Sequence, residues 1–113
     1  MANPFRGEVA IAGGAYRLVC DFNALCEIEA AFDGDIDAAL GRIDSGSLTL
    51  QEQRSVVAAL LRHHWPGVSE REAGEVISQS LTGIHAAIIE AIARAMPEEK
   101  PGKKPARRRT AQG

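Results

Sequence analysis

The stretch FRGEVAIAGGAYRLVCDFNALCEIEAAF, Phe5 to Phe32, decides the fold, because its turn and its helix start both have a physical reason. Gly13-Gly14 separates two runs of alternating character, and glycine accepts the positive φ values that a tight two-residue hairpin turn requires. With those residues as the loop, Ala12 pairs with Ala15, Ile11 with Tyr16, Val9 with Leu18, Gly7 with Cys20 and Phe5 with Phe22. Successive strand side chains point to opposite faces, so Phe5, Val9, Ile11, Tyr16, Leu18, Cys20 and Phe22 share one face. Arg6, Glu8, Ala10, Arg17 and Asp21 share the other. A slip of one residue would carry the apolar set into water, which specifies the register.

A lone two-stranded hairpin is marginal in water, so its apolar face needs a cover. The helix that follows is the expected one. Asp21 is its N-cap, and Phe22, Leu25, Ile28 and Phe32 recur at three- and four-residue steps while Glu27 and Glu29 point away. Gly34 is a left-handed stop. The expected unit is β-β-α, closed by local contacts.

Further helices follow in order. Asp35 caps a second, with Ile36, Ala39, Leu40 and Ile43 on one side, ended by Ser45-Gly46-Ser47. Thr49-x-x-Glu52 is a capping box that opens a third, from Leu50 to about His64, with Leu50, Val57, Leu60, Leu61 and His64 on a broad face. Pro66-Gly67 closes it, and Trp65 is expected to tuck against the bundle. Ser69-x-x-Glu72 is a second capping box, before Ala73, Val76, Ile77 and Leu81. Thr82-Gly83 interrupts the pattern, although one bent rod is the alternative. The last helix carries Ile84, Ile88, Ile92 and Met96, with Ala87, Ala91 and Ala95 between them, and Pro97 stops it. The expected fold is therefore α+β, mostly α: an N-terminal two-stranded antiparallel hairpin packed on a bundle of four to five short helices.

With 113 residues the chain holds one domain at most, assigned to residues 1–96. Its 45% of apolar residues suffices for a core, but only 4% are aromatic, so the core must be built from Ala, Leu, Ile and Val. Residues 1–96 carry seven basic and thirteen acidic side chains, a balance of −6, whereas residues 97–113 carry six and two, a balance of +4. The latter, PEEKPGKKPARRRTAQG, reads as a disordered basic tail, since it lacks the apolar residues that would offset the entropy of ordering. Cys20 and Cys26 lack a zinc-site spacing and read as reduced thiols of a cytoplasmic protein. MANPFRGEV has no apolar signal core, and no run approaches the ~20 apolar residues of a membrane span.

Candidate chemistries are weak. Asp33, Asp35 and Asp37 match the first positions of a calcium loop, but Ala38 stands where that loop needs glycine and Asp44 where it needs a bidentate glutamate. His63 and His64 diverge on a helix and His85 is isolated, so no metal site is expected. Gly13-Gly14 lacks the helix and lysine of a phosphate loop. No nucleophile–base pattern stands out, and neither catalysis nor a cofactor is expected. The isoleucine spacing of the last helix has two readings: core, or, with Ile89 and the alanines widening the apolar surface, a partner-binding face of Ile84, Ile88, Ile89 and Ile92. Self-association through that face is a further expectation. The free edge of the hairpin is a second candidate, since it could accept another strand.

Asn3-Pro4-Phe5-Arg6-Gly7-Glu8-Val9, Tyr16-Arg17-Leu18 and Ala24-Leu25-Cys26-Glu27-Ile28-Glu29 together resemble the small tail proteins of gene transfer agents, which belong with the tail assembly chaperones of long-tailed phages. The resemblance covers residues 3–34 and thins over residues 35–96. Cys26 within the helix motif and the basic terminus depart from the pattern. The resemblance implies a non-catalytic protein that binds the tape-measure protein during tail morphogenesis, with the tail-tube protein as a further partner, and it supplies no residue-level site. A small regulator acting on nucleic acid through the basic tail is the competing reading, against which the acidic balance of the body weighs. A minor structural component of the tail is the third.

Overall fold

The structure is a computed structural model that describes residues 7–95. The expected pairing of Phe5 with Phe22, the end of the last helix at Met96 and Pro97, and the basic tail all lie outside the described residues. Within them the chain forms a hairpin of β1 (Gly7–Ile11) and β2 (Tyr16–Cys20), then five helices. These are α1 (Phe22–Ala31), α2 (Ile36–Ser45), α3 (Leu50–Leu61), α4 (Glu70–Ser78) and α5 (Ile84–Ala95). The fold is mostly α with a small antiparallel sheet.

The hairpin has the register that its alternation dictates: Gly7 opposite Cys20, Val9 opposite Leu18 and Ile11 opposite Tyr16. Its turn is wider than expected. Ala12 and Ala15 are not a strand pair; the ladder stops at Ile11–Tyr16 and a four-residue turn spans 12–15, with the Ala15 N–H donating to the Ala12 carbonyl at 3.1 Å. Ala12, Gly13 and Gly14 all take positive φ (52°, 66° and 92°). The glycines adopt this freely, while Ala12 accepts a cost of roughly 1–2 kcal/mol.

Each helix start follows from a side chain that accepts from a free backbone N–H. Asp21 accepts from Ala24 at 2.8 Å and Asp35 from Ala38 at 2.9 Å. Thr49/Glu52 and Ser69/Glu72 form complete capping boxes. α1 stops where Asp33 and Gly34 turn left-handed (φ 58° and 84°), and α2 where Gly46 does (φ 74°). α4 and α5 are separate helices, joined by a turn in which the Gly83 N–H donates to the Ser80 carbonyl at 3.1 Å.

The cover of the hairpin differs from the expectation. α5 lies against both strands and α3 against β2, while α1 makes a smaller contact with β2, the strand it continues. The hairpin is thus closed chiefly by helices distant in sequence. Ile11, Leu18 and Cys20 join Ile28, Ile43, Leu60, Val76, Ile88 and Ile92 in one core. Val19, on the opposite face, is fully buried as well. α3 is the most enclosed helix, with six consecutive buried residues from Val56 to Leu61. Trp65, just past it, stacks on Tyr16 of the hairpin with ring centroids 6.3 Å apart.

Three large apolar residues assigned to buried faces are exposed instead: Phe22 (71%), Leu50 (84%) and Leu81 (69%). Phe22 sits well round α1 from the stripe of Ala24, Ile28 and Phe32 that meets the core. Leu50 occupies the first turn of α3, far from the enclosed half, and Leu81 falls in the turn after α4. His64, placed on the apolar face of α3, is exposed and lies beyond the helix end.

Candidate functional site

α5 is the helix on which the four candidate isoleucines sit, and its phase divides them. Ile84, Ile88 and Ile92 are buried, Ile88 completely, because steps of four keep them on the stripe that faces the hairpin and α2. The partner-facing assignment of these three is thereby corrected: in the folded chain they are core. Ile89, one position round the helix from Ile88, is half-buried and packs at the edge of that core.

Ile89 does not stand alone at the surface. With Ala93 and the edge of Ile92 it faces Leu40, Ile43 and Asp44 of α2 across an open groove of about 250 Å³. The two helices run antiparallel here. At one end His85 Nε2 donates to the Ile43 carbonyl at 2.9 Å, and further along Leu40 meets Ile92 and Ala93. The His85 ring also lies 3.5 Å from where a Cβ on Gly46 would sit, so the left-handed stop of α2 and the start of α5 fit each other directly. Leu40 and Ala93 were legible only as members of separate helices; their meeting is a tertiary fact that neither periodicity contains.

A second concavity lies between α1 and the end of α3, lined by Asp21, Asn23, Cys26, Glu27, Arg62 and His63. Its charged groups are tied to one another. Asp21 accepts from His63 Nδ1 at 3.0 Å as well as from the Ala24 N–H. Arg62 donates to Glu27 at 2.7 Å and to the Val68 carbonyl at 3.1 Å. Among the described residues no hydrogen bond joins Cys26 to His63. The arrangement is a brace between α1, α3 and the α3–α4 loop. Asp35, read as part of a possible calcium loop, spends an oxygen on its helix cap, and no group of three or more His, Cys, Asp or Glu among the described residues is placed to hold a metal.

The two cysteines differ sharply. Cys26 is exposed, whereas Cys20 is buried, and burial together with the neighbouring Asp21 carboxylate pushes its thiol up to about 12 from 9.0. Iodoacetamide applied to the folded protein near neutral pH is therefore expected to alkylate Cys26 alone, with both sites modified only in denaturant, as read by intact mass. The sign for stability follows: Cys20 contributes no pH dependence below its unfolded value of 9.0, and stability falls as pH rises from there toward 12, because the unfolded chain releases that proton first. Alkylation of Cys20 in the native protein would contradict the burial.

No family model, curated protein or solved structure matches this chain.

Proposed function

We propose that the chain is a non-catalytic tail assembly chaperone of the gene transfer agent and phage type, which binds the tape-measure protein and keeps that long helical chain soluble until tail-tube subunits assemble around it. The observation that carries the reading is the motif set Gly7-Glu8-Val9, Tyr16-Arg17-Leu18 and Leu25-x-x-Ile28-Glu29, all within the hairpin and the first helix. The surface supports it: a holdase needs apolar side chains accessible to a client, and Phe22, Leu50, Leu81 and the α2–α5 groove provide them at separate places.

The competing nucleic-acid reading gains nothing from the folded part. Among the described residues Arg17, Arg42, Arg54, Arg62 and Arg94 are each ion-paired with a glutamate and only Arg71 is not, which assembles no basic face there, so such a role would rest chiefly on residues 97–113.

Co-expression tests the proposal. The tape-measure protein from the same locus should move from the insoluble to the soluble fraction when this chain is present, and should still do so after deletion of residues 97–113. Tight, salt-dependent DNA binding without any effect on tape-measure solubility would replace the proposal with the regulator reading. Recovery of the chain in purified particles, again without that effect, would make it a structural component.

A further inference from the structure

The α2–α5 groove combines an apolar floor with an acidic rim. Leu40, Ile43, Ile89, Ile92 and Ala93 form the floor. Steps of three and four place Asp37, Leu40 and Asp44 on one stripe of α2, so a carboxylate stands one turn to either side of Leu40, and Asp44 itself lines the groove. Among the described residues neither Asp37 nor Asp44 is in an ion pair. Arg42, the one cation of α2, is turned elsewhere, to Glu52 at 2.7 Å and to the Ser47 carbonyl at 3.1 Å. Residues 33–44 hold four carboxylates, Asp33, Asp35, Asp37 and Asp44, and that single arginine.

We propose that the groove receives an amphipathic helix from another protein, one whose aliphatic stripe is flanked by lysine or arginine. Aliphatic side chains one turn apart on such a helix would seat against Leu40, Ile89 and Ala93, the usual way a helix is read by a groove. Its basic flanks would meet Asp37 and Asp44, contacts that steer association and weaken with salt more than they add affinity. Other occupants fit less well. A second copy docked about a two-fold axis would bring the same acidic rim from both copies into one interface. The basic tail of the chain has the right charge, but its apolar residues are only alanine and proline, too small to fill the floor. A small molecule would find, among the described residues, Asp44 as the sole polar side chain lining it. The inference deepens the chaperone reading by giving the chemistry of the client segment, and it rests on that reading only for the identity of the client.

Two fluorescent synthetic peptides of about 18 residues test it, long enough to form a helix on docking. They share one leucine stripe and carry lysine flanks or glutamate flanks, and binding to the full chain is followed by anisotropy. The lysine peptide should bind, more weakly as salt rises, and the glutamate peptide at least about tenfold more weakly. Ile89→Ser should weaken the lysine peptide by about tenfold. The pair Asp37→Asn and Asp44→Asn should narrow the gap between the peptides while leaving the thermal melt unchanged, and Gln51→Ser, exposed in the first turn of α3, should alter nothing. Equal binding of both peptides, or binding indifferent to Ile89→Ser, overturns the proposal. So does a concentration-dependent dimer of the wild type that Ile89→Ser abolishes, because the occupant would then be a second copy. Tape-measure solubilisation without peptide binding removes this site and leaves the chaperone reading standing; peptide binding without solubilisation does the reverse.

Discussion

Replacing Ile88 with alanine is expected to destabilise the protein by about 2–5 kcal/mol, the range for truncating a large aliphatic side chain in a core that collapses only partly around the void. Ile88 is fully buried on α5, the helix that lies against both strands of the hairpin, so the loss is felt by the sheet and the bundle together. Against a total stability of order 5–15 kcal/mol this is a large fraction, and at roughly 4–8 °C per kcal/mol for a domain of this size the melting temperature should fall steeply. Urea titrations followed by far-UV circular dichroism measure it. Ile89→Ser, one position round the same helix, should cost about 1 kcal/mol or less, since Ile89 is half-buried and already faces the groove. The contrast carries the test. If Ile88→Ala were as stable as the wild type while Ile89→Ser was not, the stripe of α5 that faces the core would be the wrong one. A melt unchanged in both would mean that α5 is not packed on the hairpin at all.

Local features of the fold were readable from the sequence because they are fixed by local chemistry. Asp21, Asp35, Thr49 and Ser69 cap helices since each offers a side-chain oxygen three residues before a free N–H, a relation contained within a few residues. The register of the hairpin survived even though its turn is wider than two residues, because the alternation of Val9, Ile11, Tyr16, Leu18 and Cys20 specifies it independently of the turn. What stayed hidden depends on partners distant in the chain. Periodicity shows that α5 has a stripe of isoleucines but not whether a strand of the same chain or another protein covers it. Phe22 and Leu50 read as core because they are apolar and near the right spacing, yet each sits in a first turn that projects past the layer able to bury it. Val19 goes the other way: strand alternation puts it on the face opposite Leu18 and Cys20, yet it is as buried as they are.

The groove was illegible for a related reason. Each of its walls is an ordinary amphipathic helix, and the edge residues Leu40 and Ile89 stand one step in sequence from the core residues Ala39 and Ile88. Its position is set by the antiparallel seating of α2 on α5, which the His85–Ile43 hydrogen bond fixes at one end. The acidic character of residues 33–44 was visible from the start, but as a failed calcium loop. Asp33 helps end α1 in left-handed backbone and Asp35 caps α2, and the remaining pair Asp37 and Asp44 gains a meaning only once Leu40 between them is seen to face α5.

A peptide of residues 1–34 is expected not to fold, the largest effect of any change considered. Its turn, its register and its Asp21 cap are all local, and a hairpin closed by its own helix would retain them in isolation. The structure places the closing elements elsewhere. The inner face of Ile11, Leu18 and Cys20 belongs to a core that also holds Val56, Leu60, Ile88 and Ile92, and α1 lies more against α3 than against the hairpin. Removing residues 35–113 would leave those side chains in water at about 25 cal/mol per Å² of apolar surface, with a two-stranded sheet and a ten-residue helix that are each marginal alone. The loop-closure entropy needed to bring α5 back onto β1 grows only slowly with the length of intervening chain, so in the intact protein it is readily offset by burial along both strands. Circular dichroism and amide proton dispersion of the peptide decide the point: a coil spectrum with collapsed dispersion is expected, and slowly exchanging amides at Val9, Ile11 and Leu18 would show that the unit closes on itself. The same reasoning makes the protein cooperative. Its two chain-distant parts, the hairpin and α5, have no stable state apart, so Ile88→Ala should be felt at Trp65, stacked on Tyr16 at the far edge of the hairpin, as much as within α5 itself.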